Sequence, residues 1–189
     1  MKSIISKTLT VLMLVAVFIA CESKKQDDSA TIAKEINDAV LDDRDDEKDA
    51  DFIVNTIAAN YGEVKMAQLA LTRSTDTGVK KMATMLENDH NKIIKDLKGY
   101  AAKNGITIPL EETDEQKKDI TKLAEESDAT KFNEKWCDMV EGKHEKTINK
   151  FESRLNKTED LELKNWITAT LPALRNHQVM LKNYEERVK

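Results

Sequence analysis

Three histidines, His90, His144 and His177, are the residues of this chain whose type and spacing could do chemistry, and the sequence contains no others. Each lies near the middle of a different long amphipathic segment, on the side that carries the apolar residues. Imidazoles at mid-depth in a bundle of helices are groups with which such proteins hold metal ions. The spacing therefore predicts a buried layer, polar or metal-binding, in the middle of the domain.

Carboxylates accompany the histidines at helical spacing. Two of the histidines close a Glu-x-x-His pattern, and residues three apart share one face of a helix, so each pair can offer two ligands to one point. A further glutamate lies at a similar depth in the first segment. Zinc, manganese and iron are ions that imidazole and carboxylate groups bind. The candidate ligands are Glu63, Glu87, His90, Glu141, His144 and His177.

The alternative interpretation is a polar layer that binds nothing. Buried histidines commonly hydrogen-bond a neighbouring carboxylate or a backbone carbonyl, and Glu-x-x-His arises by chance in helices rich in glutamate. The acids directly beside two of the histidines, Asp89 and Glu145, are predicted to face solvent. Both interpretations stay open at the level of the sequence, and exposed histidines are a third.

No enzyme signature accompanies the layer. The chain has no glycine-rich phosphate loop, no nucleophile elbow and no predicted strand to carry one. Cys137 lies beside Trp136 in a helical pattern, which favours a buried and unreactive thiol. We therefore predict no catalytic residue.

Four long segments, in which apolar residues recur at helical spacing, must position the histidines. The predicted helices cover residues 50–74, 76–104, 128–156 and 159–189, with a shorter helix over 114–126. Tight links near Thr75 and Thr158 make the first pair and the last pair antiparallel hairpins. The middle connection is long enough for the crossover of ferritin-like bundles, and a plain up-down-up-down bundle fits nearly as well.

We thus expect an all-α domain over residues 49–189, a ferritin-like four-helix bundle with a short extra helix between helices 2 and 3. Pro172 lies inside the last predicted helix. It is expected to kink that helix or to remove one of its hydrogen bonds, because proline has no backbone N–H.

The N-terminus has the pattern of a secretory signal, a basic start followed by an uncharged apolar run over residues 9–20. Phe18-Ile19-Ala20-Cys21 resembles the bacterial lipobox, which normally has leucine where Phe18 stands. The resemblance implies cleavage before Cys21, with lipid on that thiol and on the new amino terminus; an ordinary signal peptide with an incidental cysteine is the alternative. We predict a lipoprotein signal peptide over 1–20 and an acidic tether over 21–48. The domain would be anchored to the outer membrane in the cell envelope, periplasmic or surface-exposed.

Charge excludes nucleic acid as a predicted partner. The chain carries a net charge of -5, and removal of residues 1–20 takes away Lys2 and Lys7 but no acid, which leaves -7. Proteins that bind phosphate backbones need clustered lysine and arginine. Here acidic and basic residues alternate along the helices, as on solvated faces.

Five blocks of the sequence are similar to a known family. They are DFI (51–53), GEVKMAQLA (62–70), VKKMATMLENDH (79–90), KNGITIP (103–109) and TLPALRNH (170–177). Together they resemble the bacterial "domain of unknown function 4142" (DUF4142) proteins over nearly all of residues 50–186. The resemblance implies an exported, ferritin-like four-helix domain, often described as an outer-membrane protein, and it brings no established reaction. Family motifs match at Glu63, Asp89-His90, His144 and Leu171-Pro172 with His177.

The chain departs from the di-iron ferritins, which place their Glu-x-x-His motifs on the second and fourth helices. Here the motifs fall on the second and third, and Leu174 stands three residues before His177. The leading hypothesis is a lipid-anchored envelope protein that acts by binding, as a stress-related or metal-handling module. The alternatives are a metal-binding protein or metalloenzyme that uses the histidine and glutamate layer, and a scaffold for another envelope protein.

Overall fold

The computed structural model describes residues 27–41 and 44–188. Within these ranges the chain forms six α-helices and no strand, which confirms the all-α prediction. The helices are α1 (Ser29–Val40), α2 (Arg44–Arg73), α3 (Thr77–Lys103), α4 (Asp114–Ala124), α5 (Ala129–Leu155) and α6 (Leu161–Val188). None of them, within the part of the chain that is described, has the length and apolar character that a membrane span requires. The predicted signal peptide and Cys21 lie outside the described residues.

Polar caps fix where several helices begin. The side chains of Asp76 and Asp128 accept hydrogen bonds from backbone N–H groups in the first turns of α3 and α5. Thr113 and Gln116 form the predicted capping box at the start of α4. Gly105, just after α3, has a φ of 67°, a left-handed conformation that favours glycine and ends the helix.

The directions of α2 and α5 follow from contacts at their two ends. Trp136 Nε1 donates to the backbone carbonyl of Met66 at 3.0 Å. At the other end, Arg154 Nε donates to Asp49 Oδ1 at 2.5 Å, and both side chains are buried. The start of α2 therefore meets the end of α5, and the two helices are antiparallel.

The helices α3 and α6 are also antiparallel. Asp89 of α3 accepts a hydrogen bond from His177 near the middle of both helices, and Lys103 at the end of α3 pairs with Glu162 at the start of α6. Since α2 runs antiparallel to both α3 and α5, the latter two are parallel. The connection over residues 104–128, which contains α4, therefore runs from one end of the four long helices to the other.

Two apolar clusters fill the interior, one at each end. The first apolar cluster lies near the α2–α3 link and is built around Met66, Leu86, Trp136 and Leu181. The second apolar cluster lies near the α5–α6 link and is built around Ile57, Leu97, Phe151 and Leu174. Between them the four long helices bury a set of polar residues, which we call the histidine layer: Asn60, Glu63, His90, His144 and His177.

Part of the predicted acidic tether is helical and packed. Residues 29–40 form α1, where Ala30 and Ala33 are buried against Val54 and Ala58 of α2. Asn37 exchanges two hydrogen bonds with the backbone of Thr107, at 2.9 and 2.7 Å. The large apolar side chains of α1, Ile32, Ile36 and Val40, are exposed. The buried contact is made by alanines, which let two helices approach closely, so a small contact area is enough to dock α1.

Pro172 lies inside α6 without ending it. Its side chain is exposed, and so is that of Thr168 one turn earlier, whose carbonyl loses its helical donor. Water can hydrogen-bond that carbonyl on the exposed face, so α6 tolerates the proline.

Candidate metal centre

The three histidines converge in the centre of the fold, one each from α3, α5 and α6. Their ring centroids lie 5.2, 5.5 and 5.3 Å apart, and each side chain is at most 2% exposed. One ring nitrogen from each of His90, His144 and His177 falls within 4.8 Å of the other two. The sequence predicts that the three histidines lie near the middle of separate helices, and the structure brings their imidazoles to one point.

The proton on His90 is fixed by Asn60. The Nδ2 of Asn60 donates to the carbonyl of Thr56 at 2.7 Å, which turns its Oδ1 towards His90 Nδ1 at 2.6 Å. An amide oxygen can only accept, so His90 donates from Nδ1, and its lone pair is on Nε2. That Nε2 atom is buried and has no hydrogen-bond partner among the described residues.

The other two rings are fixed in the same way. His144 Nδ1 donates to the carbonyl of Val140 at 2.8 Å, which leaves the lone pair of its neutral ring on Nε2. His177 Nε2 donates to the Asp89 carboxylate at 2.9 Å, which leaves the lone pair on Nδ1. The lone pairs of the three neutral rings are therefore on His90 Nε2, His144 Nε2 and His177 Nδ1.

The positions of these protons determine how His144 and His177 interact. His144 Nε2 and His177 Nδ1 lie 3.2 Å apart, yet neither atom has a proton to donate while the rings are neutral. The lone pairs of His144 and His177 thus face each other, and that of His90 is buried in the same cluster of rings, an arrangement that a cation satisfies. A ring that binds metal through one nitrogen while the other donates to a carboxylate or carbonyl is the usual arrangement of metal-ligating histidines.

Burial keeps the rings neutral. It lowers the pKa of His90 well below the ordinary value of 6.5, and the neighbouring His144 and His177 lower it further. Burial also lowers the pKa of His144, against the opposing charge of Glu63, and that of His177, against its bond to Asp89. Neutral imidazole is the form that binds metal.

Glu63 lies beside the triad. It is 7% exposed, and burial raises its pKa, while the charges of His144 and Lys143 act in the opposite direction. Its Oε2 is buried without a hydrogen-bond partner among the described residues. The group of donor atoms within 4.8 Å of one another comprises the histidines and not this carboxyl.

The other two predicted carboxylates lie outside this group. Glu87 Oε1 accepts from Gln68 Nε2 at 2.8 Å. Glu141 Oε1 accepts from Gln178 Nε2 at 2.9 Å and pairs with Lys182 at 3.2 Å. Three residues turn a helix by about 300°, so each glutamate sits about 60° around from its histidine, on the boundary of the buried stripe.

Sequence reasoning missed two residues that orient the rings, Asn60 and Asp89. Asp89 was expected to face solvent, and its side chain is 43% exposed, yet it also holds His177. Asn60 could have been found from its position one turn before Glu63 on the same stripe. Glu145 is exposed, and Cys137 is buried, with burial raising the pKa of its thiol to about 12.

Comparison with known proteins gives one match. The model of a family described as "Domain of unknown function (DUF4142)" matches residues 37–184. This span contains the whole histidine layer and its partners Thr56, Asp89 and Val140. No curated protein and no solved structure matches the chain.

Proposed function

The chain belongs to the DUF4142 family, and we propose that it binds one divalent transition-metal ion through His90, His144 and His177. The family supplies no activity, so the site carries the proposal. The decisive observation is the convergence of three buried imidazole lone pairs, each set by a hydrogen bond on the opposite ring nitrogen. The alternative of a polar layer without an ion explains this geometry less well.

A layer without a cation leaves polar atoms unsatisfied. Among the described residues His90 Nε2 has no partner, and the facing nitrogens of His144 and His177 repel each other while both rings are neutral. A buried polar group without its hydrogen bond costs about 1–3 kcal/mol. One proton could bridge His144 and His177, but it would leave His90 unpaired. A metal ion serves all three rings at once.

The ligand chemistry selects the class of ion. Three neutral imidazoles suit zinc, iron, cobalt and copper, whereas magnesium and calcium take oxygen ligands. Manganese is the weakest binder among the divalent ions of this series. Three histidines also leave at least one coordination position for another ligand, as in mononuclear sites with three protein ligands.

We propose a ferritin-like four-helix bundle as the frame of this site. The support is the antiparallel pairing of α2 with α3 and of α5 with α6, with a crossover that makes α3 and α5 parallel. Leu174, one turn before His177, is buried in the second apolar cluster. A bridging carboxylate is thus missing where a di-iron protein has one, which favours a single ion.

We also propose that the domain is held at the cell envelope by lipid on Cys21, where it acts as a metal-binding module at the outer membrane. The support is the apolar run over residues 9–20 and the sequence FIAC that ends it. Mass spectrometry of the mature N-terminal peptide tests this proposal. A diacylated Cys21 is expected, and an unmodified Cys21 in soluble protein would contradict it.

Metal analysis of the protein tests the central proposal. The full chain is expressed without a histidine tag, loaded with Zn²⁺ and freed of excess metal. Its zinc content is then measured by inductively coupled plasma mass spectrometry. About one zinc per chain is expected, and His90→Ala/His144→Ala is expected to lose it. The matched control, Glu87→Ala/Glu141→Ala, removes the two carboxylates that point elsewhere and should retain one zinc. Metal far below one per chain and unchanged by the histidine substitutions would contradict the proposal.

A further inference from the structure

Glu63 connects the histidine layer with the surface. On one side, the charges of its carboxyl and of His144 interact, which lowers the pKa of Glu63 and raises that of His144. On the other side it lines a cleft of about 250 Å³ between α2, α4 and α5. The three rings that we assign to the metal come from α3, α5 and α6. The fourth long helix, α2, contributes Asn60, whose oxygen is already used by His90, and Glu63, whose Oε2 is unpartnered.

The helix α4, which lies in the connection between α3 and α5, covers this cleft. Gln116 Nε2 donates to the backbone carbonyl of Ala59 at 3.2 Å, which fastens α4 to α2. Lys143 Nζ donates to Asp119 Oδ2 at 2.7 Å, which fastens α4 to α5. The side chain of Gln116 also lies close to Gly62. A Cβ atom added to Gly62 would lie 2.7 Å from Gln116 Nε2. The helix α4 therefore packs directly over the turn of α2 that carries Glu63.

The cleft is basic along α5. Lys143, Lys146 and Lys150 all line it, at positions that share one face of the helix. Lys143 is paired with Asp119, whereas Lys146 and Lys150 have no ion pair among the described residues. Glu115 of α4 is the acid that faces them, along with the buried Glu63. The lysines therefore outnumber the acids on the exposed part of the cleft.

From these observations we infer that the free coordination position of the metal faces Glu63 and takes a small monovalent anion that enters through this cleft. The inference rests on the proposed metal site. Glu63 is outside the group of donor atoms within 4.8 Å of one another, so its carboxyl is not one of the ligands that we assign to the ion. The lysines raise the local concentration of anions, and Glu63 lies at the inner end of the cleft, beside the site that we assign to the anion.

The experiment uses the full chain loaded with Co²⁺ and titrated with sodium azide, followed in the visible absorption spectrum of the metal. A saturable change with one azide per cobalt is expected. Lys146→Glu/Lys150→Glu should weaken azide binding by about tenfold, since four units of charge change near its path, and should leave the absorption spectrum without azide unchanged. The matched control Lys80→Glu/Lys95→Glu makes the same charge change on α3, away from the cleft, and should keep azide binding within about twofold of the wild type.

Glu63→Gln separates the two roles open to this carboxyl. If Glu63 contacts the exogenous ligand, the substitution removes a negative charge, strengthens azide binding and leaves cobalt affinity unchanged. A large loss of cobalt affinity in Glu63→Gln would make Glu63 a metal ligand and overturn the inference. A cobalt spectrum that azide leaves unchanged would also overturn it, while the metal site itself would stand. Failure of cobalt to bind would overturn both proposals.

Discussion

The histidine layer and the two apolar clusters that flank it are built by the same four helices at neighbouring turns. On α3, Leu86 precedes His90 by one turn, and Ile93 follows it. On α5 and α6 the same alternation recurs around His144 and His177. An apolar residue at any of these positions would fit the helical spacing equally well. The chain instead places its three histidines in a buried layer between the two apolar clusters.

On the proposed function, the apolar clusters serve stability and the histidine layer serves binding. The apolar clusters bury side chains that need no specific partner, and their contribution follows from the area removed from water. The histidine layer leaves His90 Nε2 and Glu63 Oε2 buried and unsatisfied. Such atoms destabilise a fold unless a ligand uses them, so substitutions in the two regions should have opposite consequences.

The largest effect should come from making the layer apolar. His144→Leu/His177→Leu removes the facing lone pairs and keeps the pair of His90 with Asn60. It is expected to abolish stoichiometric zinc binding, because two of three ligands are lost. Unfolding of the metal-free variant should require more free energy, by about 1–4 kcal/mol, as when other buried polar groups give way to apolar ones. Urea denaturation measures this, and a strongly destabilised variant would show that the layer is structural.

A truncation in the second apolar cluster should act in the opposite way. Leu97 is 1% exposed, so Leu97→Ala is expected to cost about 2–5 kcal/mol of unfolding free energy through lost burial and a cavity. The folded fraction should still bind one zinc per chain. Urea denaturation combined with metal analysis checks both values. Equal losses of zinc in this variant and in the histidine variants would erase the distinction between the regions.

Asp89 tests whether the partners of the rings matter. Asp89→Ala removes the acceptor that fixes the proton of His177, and zinc affinity is expected to fall about 10- to 100-fold. Asp89→Asn keeps an accepting oxygen and should lose less. Asp96→Ala serves as control, because this acid lies on the same helix and, among the described residues, forms its ion pair with Lys92. Competition with a chelator measures the affinities, and identical values for Asp89→Ala and the control would contradict this role.

The smallest effect is the pH dependence of the metal-free protein. Burial lowers the pKa of all three histidines below 6.5. The unfolded chain therefore takes up protons first as pH falls, and stability is lost below about pH 6.5, by up to about 1.4 kcal/mol per pH unit for each ring. Glu63, whose pKa is raised, acts in the opposite direction, because its folded form resists ionisation as pH rises.

The histidine contribution is isolated by comparing two proteins at two pH values. Wild type should lose more unfolding free energy between pH 7.5 and 5.5 than His144→Leu/His177→Leu, in which two of the three rings are absent. Glu63 is present in both and cancels to first order. An equal loss of unfolding free energy in the two proteins between these pH values would contradict the assignment of neutral, buried rings.

Much of this arrangement could be predicted from the sequence. Helical spacing gave the four long helices and the short one, and similar offsets along them predicted that His90, His144 and His177 meet. The ring partners could not be predicted in the same way. Whether an acid beside a histidine faces inward depends on how its helix is rotated against its neighbours. That rotation brings Asp89 to His177 and turns Glu87 and Glu141 towards surface partners.

The choice between the two topologies and the docking of α1 could not be predicted, for other physical reasons. The length of the middle connection allows either topology, and contacts between distant residues, such as Trp136 with Met66, decide it. Residues 22–48 as a whole are charged and poor in large apolar residues, so their composition predicts a tether. Its docking depends on α2 offering Val54 and Ala58 to two alanines, which its own sequence does not reveal.

X-ray absorption at the zinc edge of the loaded, untagged chain tests the central claim most directly. The account predicts one zinc per chain with three imidazole nitrogens at about 2.0–2.1 Å and one lighter ligand that is not sulfur. The imidazole signal should disappear in His144→Leu/His177→Leu. A first shell made of oxygen alone, or an unchanged spectrum in that variant, would place the metal elsewhere and contradict the assignment of the histidine layer.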